Sequence, residues 1–324
     1  DEQLKFIAVQ QERLRKDIIR LENKLREMGV TGMSAHKTLI FLFFAALYED
    51  RRGPDSRMTL EGFARYRDGM SAKDKIDFAD RTAHHLLEKE IREDSAIRDS
   101  EMMGHYAKID LSDSFVTQNV LPIFERYSLA EGSMDFIGAV FEARARRAEK
   151  DNRVGQFFTP ETAVIATMRL AQPRPTDSVL DPACGTARFL IHGMAAMLAQ
   201  ADKVPGLTRT EAEERIKQHQ LLGSDIDGWV ATIAKMNMYL HGDGKSNIKP
   251  ANGLALSIGT PFEPRTPANV VESIDVVLTN PPLGDINFRD AAKEIARSGL
   301  LGKVTEKPGT KAYDQQIDRL ANEW

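Results

Sequence analysis

The sequence predicts an α/β protein in two parts: an all-helical region over residues 1–150, then a domain built on a mostly parallel sheet over residues 151–324. Two observations favour this division. Before residue 150, apolar residues recur at helical spacing and no stretch has the pattern of a strand. After residue 155, short apolar runs alternate with helical segments, which is typical of parallel sheets covered by helices on both faces.

Composition narrows the class of protein. With 324 residues, of which 42% are hydrophobic and 28% charged, the chain has the make-up of a soluble globular protein with two cores. The longest apolar run, Leu39–Leu47, is far shorter than the ~20 residues of a membrane span, so no membrane association is expected. A single cysteine, Cys184, excludes an internal disulfide and fits a reducing cytoplasm.

The helical region opens with a heptad pattern. Apolar residues occupy positions 4, 7, 14, 18, 21, 25 and 28, and Gly29 is expected to end the helix. This pattern suits an amphipathic helix packed on its own domain, but it also suits helix-mediated association with another chain through residues 4–28. Lys37–Asp50 is apolar on nearly every face and predicts the central helix of the region. Further helices are expected over 71–93 and 114–150.

A basic cluster lies at the end of the helical region. It consists of Arg144, Arg146, Arg147, Lys150 and Arg153. The cluster is either the solvated face of a helix or a contact for a nucleic-acid backbone.

The second part is expected to alternate strands and helices. The strands are predicted at 178–181, 220–224 and 274–279, and the helices at 189–200 and 229–240. The charged stretch from Asn287 to Trp324 contains three glycines and no convincing strand, so we expect a mobile loop at the site.

Two turns in this part have the character of a cofactor site. Asp181-Pro-Ala-Cys-Gly185 follows the first strand, and a glycine turn there lets the backbone approach a ligand closely. Asp225 ends the next strand, where a carboxylate can accept both hydroxyl protons of a ribose. Each could also be an ordinary structural turn. Together they indicate a cofactor that carries a nucleoside.

The third motif is Asn280-Pro-Pro282-Leu283, after the apolar strand at 274–279. Two successive prolines cannot continue a ladder, so they hold the backbone rigid at the edge of the sheet. The side-chain oxygen of Asn280 and the carbonyl of Pro281 could each accept one proton of an exocyclic amine such as adenine N6.

Taken in order, four segments resemble a known family. They are Gly155-Gln-Phe-Phe-Thr-Pro160, Asp181-Pro-Ala-Cys-Gly185, Gly223-Ser-Asp225 and Asn280-Pro-Pro282. This order resembles the adenine-N6 DNA methyltransferases, in the arrangement of the modification subunits of type I restriction-modification systems. The resemblance spans roughly residues 35–288, and it implies a Rossmann-like S-adenosylmethionine-dependent methyltransferase sheet that is apparently truncated on its C-terminal side.

The resemblance also implies a role for individual residues. The residues expected to bind S-adenosylmethionine are Gln156, Phe157, Thr159, Pro160, Asp181, Ala183, Gly185, Asp225, Ile226 and Asn252. Phe157, Thr159 and Pro160 would line the methionine end, and Asp225 would hold the ribose. Asn280, Pro281, Pro282 and Leu283 would receive a flipped adenine, since a base must leave the stack to be modified.

Three positions depart from the family pattern. Ala187-Arg188 stands where two glycines are usual, and Asn252 stands where an aspartate often contacts the cofactor adenine. Leu283 replaces the aromatic residue that stacks on the target base, a contact worth about 1–3 kcal/mol.

The leading interpretation is a site-specific DNA methyltransferase subunit. The alternatives are a methyltransferase of the same fold acting on RNA or a protein glutamine, and a catalytically inactive scaffold that binds the cofactor. The large helical region and the segment at 155–160 favour DNA. The seven histidines are scattered, and no metal is expected. The net charge of -4 indicates that another chain helps to hold double-stranded DNA, so a DNA-specificity subunit and a restriction subunit are the expected partners.

Overall fold

The structure is a computed structural model. It describes residues 2–50, 56–75, 111–126, 137–138, 140, 159–243, 247–253, 274–281, 293, 305–306 and 309–323. The chain divides into two compact units. The helical unit comprises Asp1–Val154 with Tyr239–Gly242, and the sheet unit comprises Gly155–Met238 with Asp243–Trp324.

The helical unit contains four helical segments with defined bounds, besides helical residues at 72–75, 137–138 and 140. They are α1 (Glu2–Glu27), α2 (Gly32–Asp50), α3 (Leu60–Asp68) and α4, in which Asp113–Phe115 and Leu121–Arg126 flank a wide π-helical turn at Val116–Val120. The sheet unit contains α5 (Glu161–Ala171), β1 (Val179–Asp181), α6 (Arg188–Leu198), α7 (Arg209–Arg215), β2 (Leu221–Asp225), α8 (Gly228–Leu240, except its last two residues), β3 (Asn247–Pro250), β4 (Val276–Val277) and α9 (Lys311–Glu323).

The heptad helix α1 packs within its own unit. Leu14, Ile18, Leu21 and Leu25 of the heptad pattern are all buried, with at most 2% of each exposed, while Val9 is 50% exposed. Gly29 ends the helix in the left-handed region at φ 81°, as the sequence predicts. Burial of these residues inside the chain fits the amphipathic interpretation of α1, and association with another chain stays a prediction.

The predicted central helix is present as α2. Its three phenylalanine side chains, Phe41, Phe43 and Phe44, are fully buried, and the ring of Phe43 meets that of Phe124 edge-on at 5.0 Å. Near its end, the buried carboxylate of Glu49 accepts hydrogen bonds from the guanidinium of Arg57. No helix among the described residues is long and apolar enough to cross a membrane.

The sheet is parallel throughout, in the order β3-β2-β1-β4. Val179 and Leu221 belong to a core that also contains residues of the helices α5, α6, α7 and α8. Leu180 and Leu222, which point to the opposite face, are buried as well. The predicted parallel α/β sheet is therefore confirmed, and apolar residues fill both of its faces.

The strand before Asn280 is shorter than the sequence predicts. The expected strand at 274–279 contains only two paired residues, Val276–Val277. Hydrogen bonds before and after these two residues also hold the strand beside β1. The Ser178 N–H donates to the Asp275 carboxylate at 2.8 Å, and the Leu278 N–H donates to the Leu180 carbonyl at 3.0 Å.

The expectation of a mobile loop from Asn287 to Trp324 was wrong for its last part. Residues Lys311–Glu323 form α9, and Ile317 on this helix is 1% exposed. The Thr310 hydroxyl accepts the Tyr313 N–H at 3.1 Å, as a helix cap does. The rest of the stretch, apart from residues 293, 305–306 and 309–310, lies outside the described residues.

The boundary between the units provides a test of the proposed domains. We expect limited proteolysis to cut first at Glu149–Val154, since the two units separate at Val154 and the charged residues there suit trypsin. Mass spectrometry of the fragments would locate the cut. A protease-resistant fragment that runs through this point while cuts occur elsewhere would contradict the two-domain division.

Candidate functional site

The ends of all four strands lie at one edge of the sheet. Because the strands are parallel, Asp181 at the end of β1 and Asp225 at the end of β2 share that edge with the residues that follow β3 and β4. Asp225 lies in register with Pro250 of β3. The sheet therefore brings together sequence motifs that lie up to 100 residues apart.

The turn after β1 is bound to the end of β2. The Ala183 N–H donates to the Asp181 carboxylate at 3.1 Å, and the Cys184 N–H donates to the Ser224 carbonyl at 2.8 Å. The Ser224 hydroxyl in turn donates to the Pro182 carbonyl at 3.0 Å. The small polar side chain inside β2 thus closes the turn, a role that sequence analysis did not assign to it.

Left-handed backbone shapes the second half of this turn. Gly185 has φ 53° and Ala187 has φ 67°. A non-glycine residue in this region is strained by roughly 1–2 kcal/mol. Ala187, which stands where the family usually has glycine, thus adopts a backbone conformation that favours glycine.

The carboxylate of Asp225 joins two turns. Its Oδ2 accepts the Gly185 N–H at 3.1 Å, and its Oδ1 accepts the Asp227 N–H at 3.0 Å. An ionised carboxylate has about four acceptor positions, so each oxygen can accept one more hydrogen bond. Next to it, the apolar side chain of Ile226 is 78% exposed.

The end of β3 lies directly over the turn after β1. The Ala251 N–H donates to the Asp225 carbonyl at 2.9 Å. A Cβ atom on Gly253 would lie 2.2 Å from the Pro182 carbonyl oxygen, so only glycine fits there. This close approach places Asn252 beside the turn. Sequence analysis missed Gly253, although a glycine just after a strand is a recognisable signal of close backbone approach.

Negative charge accumulates in this small volume. Burial raises the pKa of Asp181 to about 7, the charge of Asp225 raises it further, and the Ala183 N–H, which donates to this carboxylate, opposes the rise. Burial also raises the pKa of Asp225. Burial and both carboxylates raise the pKa of the Cys184 thiol well above its ordinary value, which favours its protonated form.

The segment before α5 contacts the start of α6. The guanidinium of Arg188, at Nη1, donates to the Thr159 carbonyl at 2.9 Å, and Pro160 is the residue that precedes α5. Thr159 and Pro160 are therefore tied to the turn that also contains Gly185. Gln156 and Phe157 lie outside the described residues.

Asn280 and Pro281 follow β4, next to β1 in the sheet. Asn280 is partly buried and Pro281 is exposed. Pro282 and Leu283 lie outside the described residues, as does the basic cluster at 144–153. No group of histidine, cysteine or acidic residues with the geometry of a metal site occurs within the described ranges.

Comparisons with solved structures bear on the fold. A protein from Vibrio vulnificus YJ016 described as a modification subunit of a type I restriction enzyme superposes with a TM-score of 0.55 and 17% identity, over 92% of this chain and 69% of that one. A chain from a structural study of the assembly of a type I R-M system gives a TM-score of 0.51 at 20% identity, over 97% of this chain and 61% of that one. Both likenesses support the same fold.

Comparisons with known sequences identify the family. The chain is 37% identical over 158 residues to the type II restriction enzyme and methyltransferase RM.BcgI of Heyndrickxia coagulans, a match covering 48% of this chain and 22% of the relative. It is 29% identical over 154 residues to the StySPI methylase subunit of Salmonella potsdam, covering 47% and 28%. The matched segment thus spans about a quarter of these relatives. The profile of N-6 DNA Methylase matches residues 132–306, more than half of the chain, and the chain belongs to this family.

Proposed function

We propose that this chain binds S-adenosylmethionine and transfers its methyl group to adenine N6 in DNA, as the modification subunit of a restriction-modification complex. Family membership supports this reaction class. The observation that carries the proposal is the strand order, in which β1 lies between β2 and β4. This order sets the Asp181 turn between Asp225 on one side and Asn280 on the other.

The charge of the site suits the proposed cofactor. Asp181 and Asp225 are carboxylates whose pKa values are raised by burial, and the charges of neighbouring carboxylates, Asp225 and Asp227, raise them further. A positively charged ligand favours their ionised forms. S-adenosylmethionine carries a sulfonium and an amino group, and when bound it supplies the electrophilic methyl group.

Each part of the cofactor has proposed contacts. Asp225 would accept the ribose hydroxyls through its remaining acceptor positions, while Ile226 and Asn252 would contact the adenine. Asp181, Ala183 and Gly185 would lie beneath the methionine end. The residues proposed to complete that end are Gln156, Phe157, Thr159 and Pro160.

The second half of the site would hold the base to be modified. Asn280 Oδ1 and the Pro281 carbonyl would each accept one proton of the adenine amine. Two acceptors in the plane of the amine turn its lone pair toward the methyl group, and they stabilise the positive charge that develops on nitrogen. Pro282 and Leu283 would contact the base after it leaves the stack.

The proposed partners follow from charge and from the relatives. A chain of net charge -4 gains little affinity from phosphate contacts alone, so double-stranded DNA would be held together with a DNA-specificity subunit. A restriction subunit is the further proposed partner, since several relatives are named as methylase subunits of type I restriction enzymes. The single free cysteine fits a cytoplasmic location.

The inactive scaffold is the weaker alternative. It rests on Ala187-Arg188 and Leu283, which depart from the family pattern. In the structure Ala187 adopts the left-handed conformation and Arg188 is buried with partners, so these two residues are accommodated without breaking the turn.

Replacing Asn280 with alanine tests the reaction directly. We expect Asn280→Ala to lower the rate of methyl transfer by about a hundredfold, roughly 2.7 kcal/mol, because the amine loses an acceptor that positions it. Cofactor affinity should stay within about twofold of the native value. The measurement is transfer of labelled methyl groups to DNA by the intact protein with its co-purifying subunits, with Asn119→Ala in the helical unit as control. Equal rates for both variants would refute the role of Asn280.

Asp225 and Asp227 offer a matched pair of substitutions. Asp225→Asn should weaken S-adenosylmethionine binding by about tenfold, or 1.4 kcal/mol, because the ribose loses a charged acceptor. Asp227→Asn, two residues along the same turn, keeps an acceptor for the Trp229 N–H and should bind the cofactor within about twofold of native. Isothermal titration calorimetry measures both. Equal losses in the two variants would remove Asp225 from the ribose site.

The raised pKa of Asp181 predicts pH-dependent cofactor binding. In the free protein this carboxyl takes up a proton as pH falls through about 7. A bound cation lowers its pKa, so binding below pH 7 must release that proton, and affinity should fall by up to about tenfold per pH unit. Asp181→Asn should bind more weakly at pH 8 and lose most of this dependence between pH 5 and 7. An unchanged slope in this variant would assign the proton to another group.

A further inference from the structure

Arg188 is a buried charge next to the proposed cofactor site. It is the first residue of α6 and is 6% exposed. An arginine is rarely buried unless its charge and its N–H groups are satisfied. Its Nη1 donates to the Thr159 carbonyl at 2.9 Å, and its Nε lies 3.7 Å from the Glu161 carboxylate.

A second residue of α6 holds the same carboxylate. His192 lies one turn after Arg188, and its Nε2 is 2.8 Å from Glu161 Oε1. Glu161 is the first residue of α5 and its side chain is 14% exposed. Thr159, Glu161, Arg188 and His192 form what we call the Arg188 cluster, which joins the beginnings of two helices.

The hydrogen bond from Arg188 is made to the peptide between Thr159 and Pro160, whose only polar group is its carbonyl. Because Pro160 follows Thr159, that peptide has no N–H, and its carbonyl is its only means of hydrogen bonding. The peptide is planar, so a donor on the carbonyl sets the orientation of the whole unit. The Pro160 carbonyl in turn accepts the N–H groups of Ala163 and Val164 at 2.9 and 3.1 Å, which fixes the other end.

We propose that Arg188 is a positioning residue for the cofactor, a role that rests on the proposed function above. By donating to the Thr159 carbonyl, it fixes Thr159–Pro160 against the turn that carries Gly185. The Glu161 carboxylate balances the charge of the guanidinium, and His192 holds that carboxylate in place. Ala187, which is fully buried and has a strained backbone, caps α6 and so places Arg188 within reach of Thr159. Ala187-Arg188, in place of the two glycines usual in the family, would then make the Thr159–Pro160 segment more rigid.

Two substitutions separate this role from a merely structural ion pair. Arg188→Met leaves the charge of Glu161 unbalanced and should lower the unfolding temperature. The double variant Arg188→Met with Glu161→Gln removes both charges and should recover most of that temperature. It still lacks a donor for the Thr159 carbonyl, so binding of S-adenosylmethionine should remain at least about tenfold weaker than native. In the double variant the KM for the cofactor should rise by a similar factor, while kcat changes less than about threefold.

The exposed pair Arg209 and Glu213, 2.7 Å apart on α7, provides the matched control. Arg209→Met with Glu213→Gln should leave both unfolding and binding near native. Calorimetry with the intact protein and its co-purifying subunits supplies the affinities. If the Arg188→Met, Glu161→Gln variant binds the cofactor as the native protein does, the pair is structural and the proposal is wrong.

A second readout does not depend on the cofactor. The amides of Ala163 and Val164 should exchange with deuterium faster in the Arg188→Met, Glu161→Gln variant, while the amide of Ala212 at the start of α7 should not change. If the native protein binds no cofactor, the proposed function fails, and this exchange still decides whether Arg188 fixes the segment. Unchanged exchange at Ala163 and Val164 would overturn the inference.

Discussion

A carboxylate at the end of β2 holds the rest of the site in place. Asp225 accepts backbone N–H groups from Gly185 and Asp227, so one side chain fixes the turn after β1 and the entry to α8. The Asp225 carbonyl then receives the N–H of Ala251 and seats the end of β3. The side chain of this residue thus joins two turns, and its backbone joins a third. A ligand bound by its remaining acceptor positions would therefore contact a group that is already oriented.

The same arrangement has an electrostatic cost. Bringing Asp181 and Asp225 together out of water raises the pKa of each, and Cys184 between them is kept as a neutral thiol. Ionisation of both acids is therefore unfavourable in the protein without a ligand. A cationic ligand relieves that penalty, so the residues that weaken the empty site also select the charge of its occupant.

The sequence predicted the residues at the strand ends better than the elements between them. Asp181, Asp225 and Asn280 each follow a short apolar run, and parallel strands must bring such ends together. β3 escaped prediction because Ile248 is the one buried residue in Asn247–Pro250. α9 escaped because the glycines before it outweighed the 3–4 spacing of Tyr313, Ile317 and Leu320. No local pattern indicates that Arg188 is buried, since its partner Glu161 lies 27 residues away.

The position of β4 has a consequence for how the protein acquires its site. The Ser178 N–H meets the Asp275 carboxylate across 97 residues of sequence, and β4 itself contributes two paired residues. A short strand that closes so long a loop gains little until the rest of the sheet exists. Because β1, β2 and β3 precede residues 274–281 in the chain, they can pair before β4 does. The half of the site proposed to bind the cofactor would then form before the half proposed to receive the base.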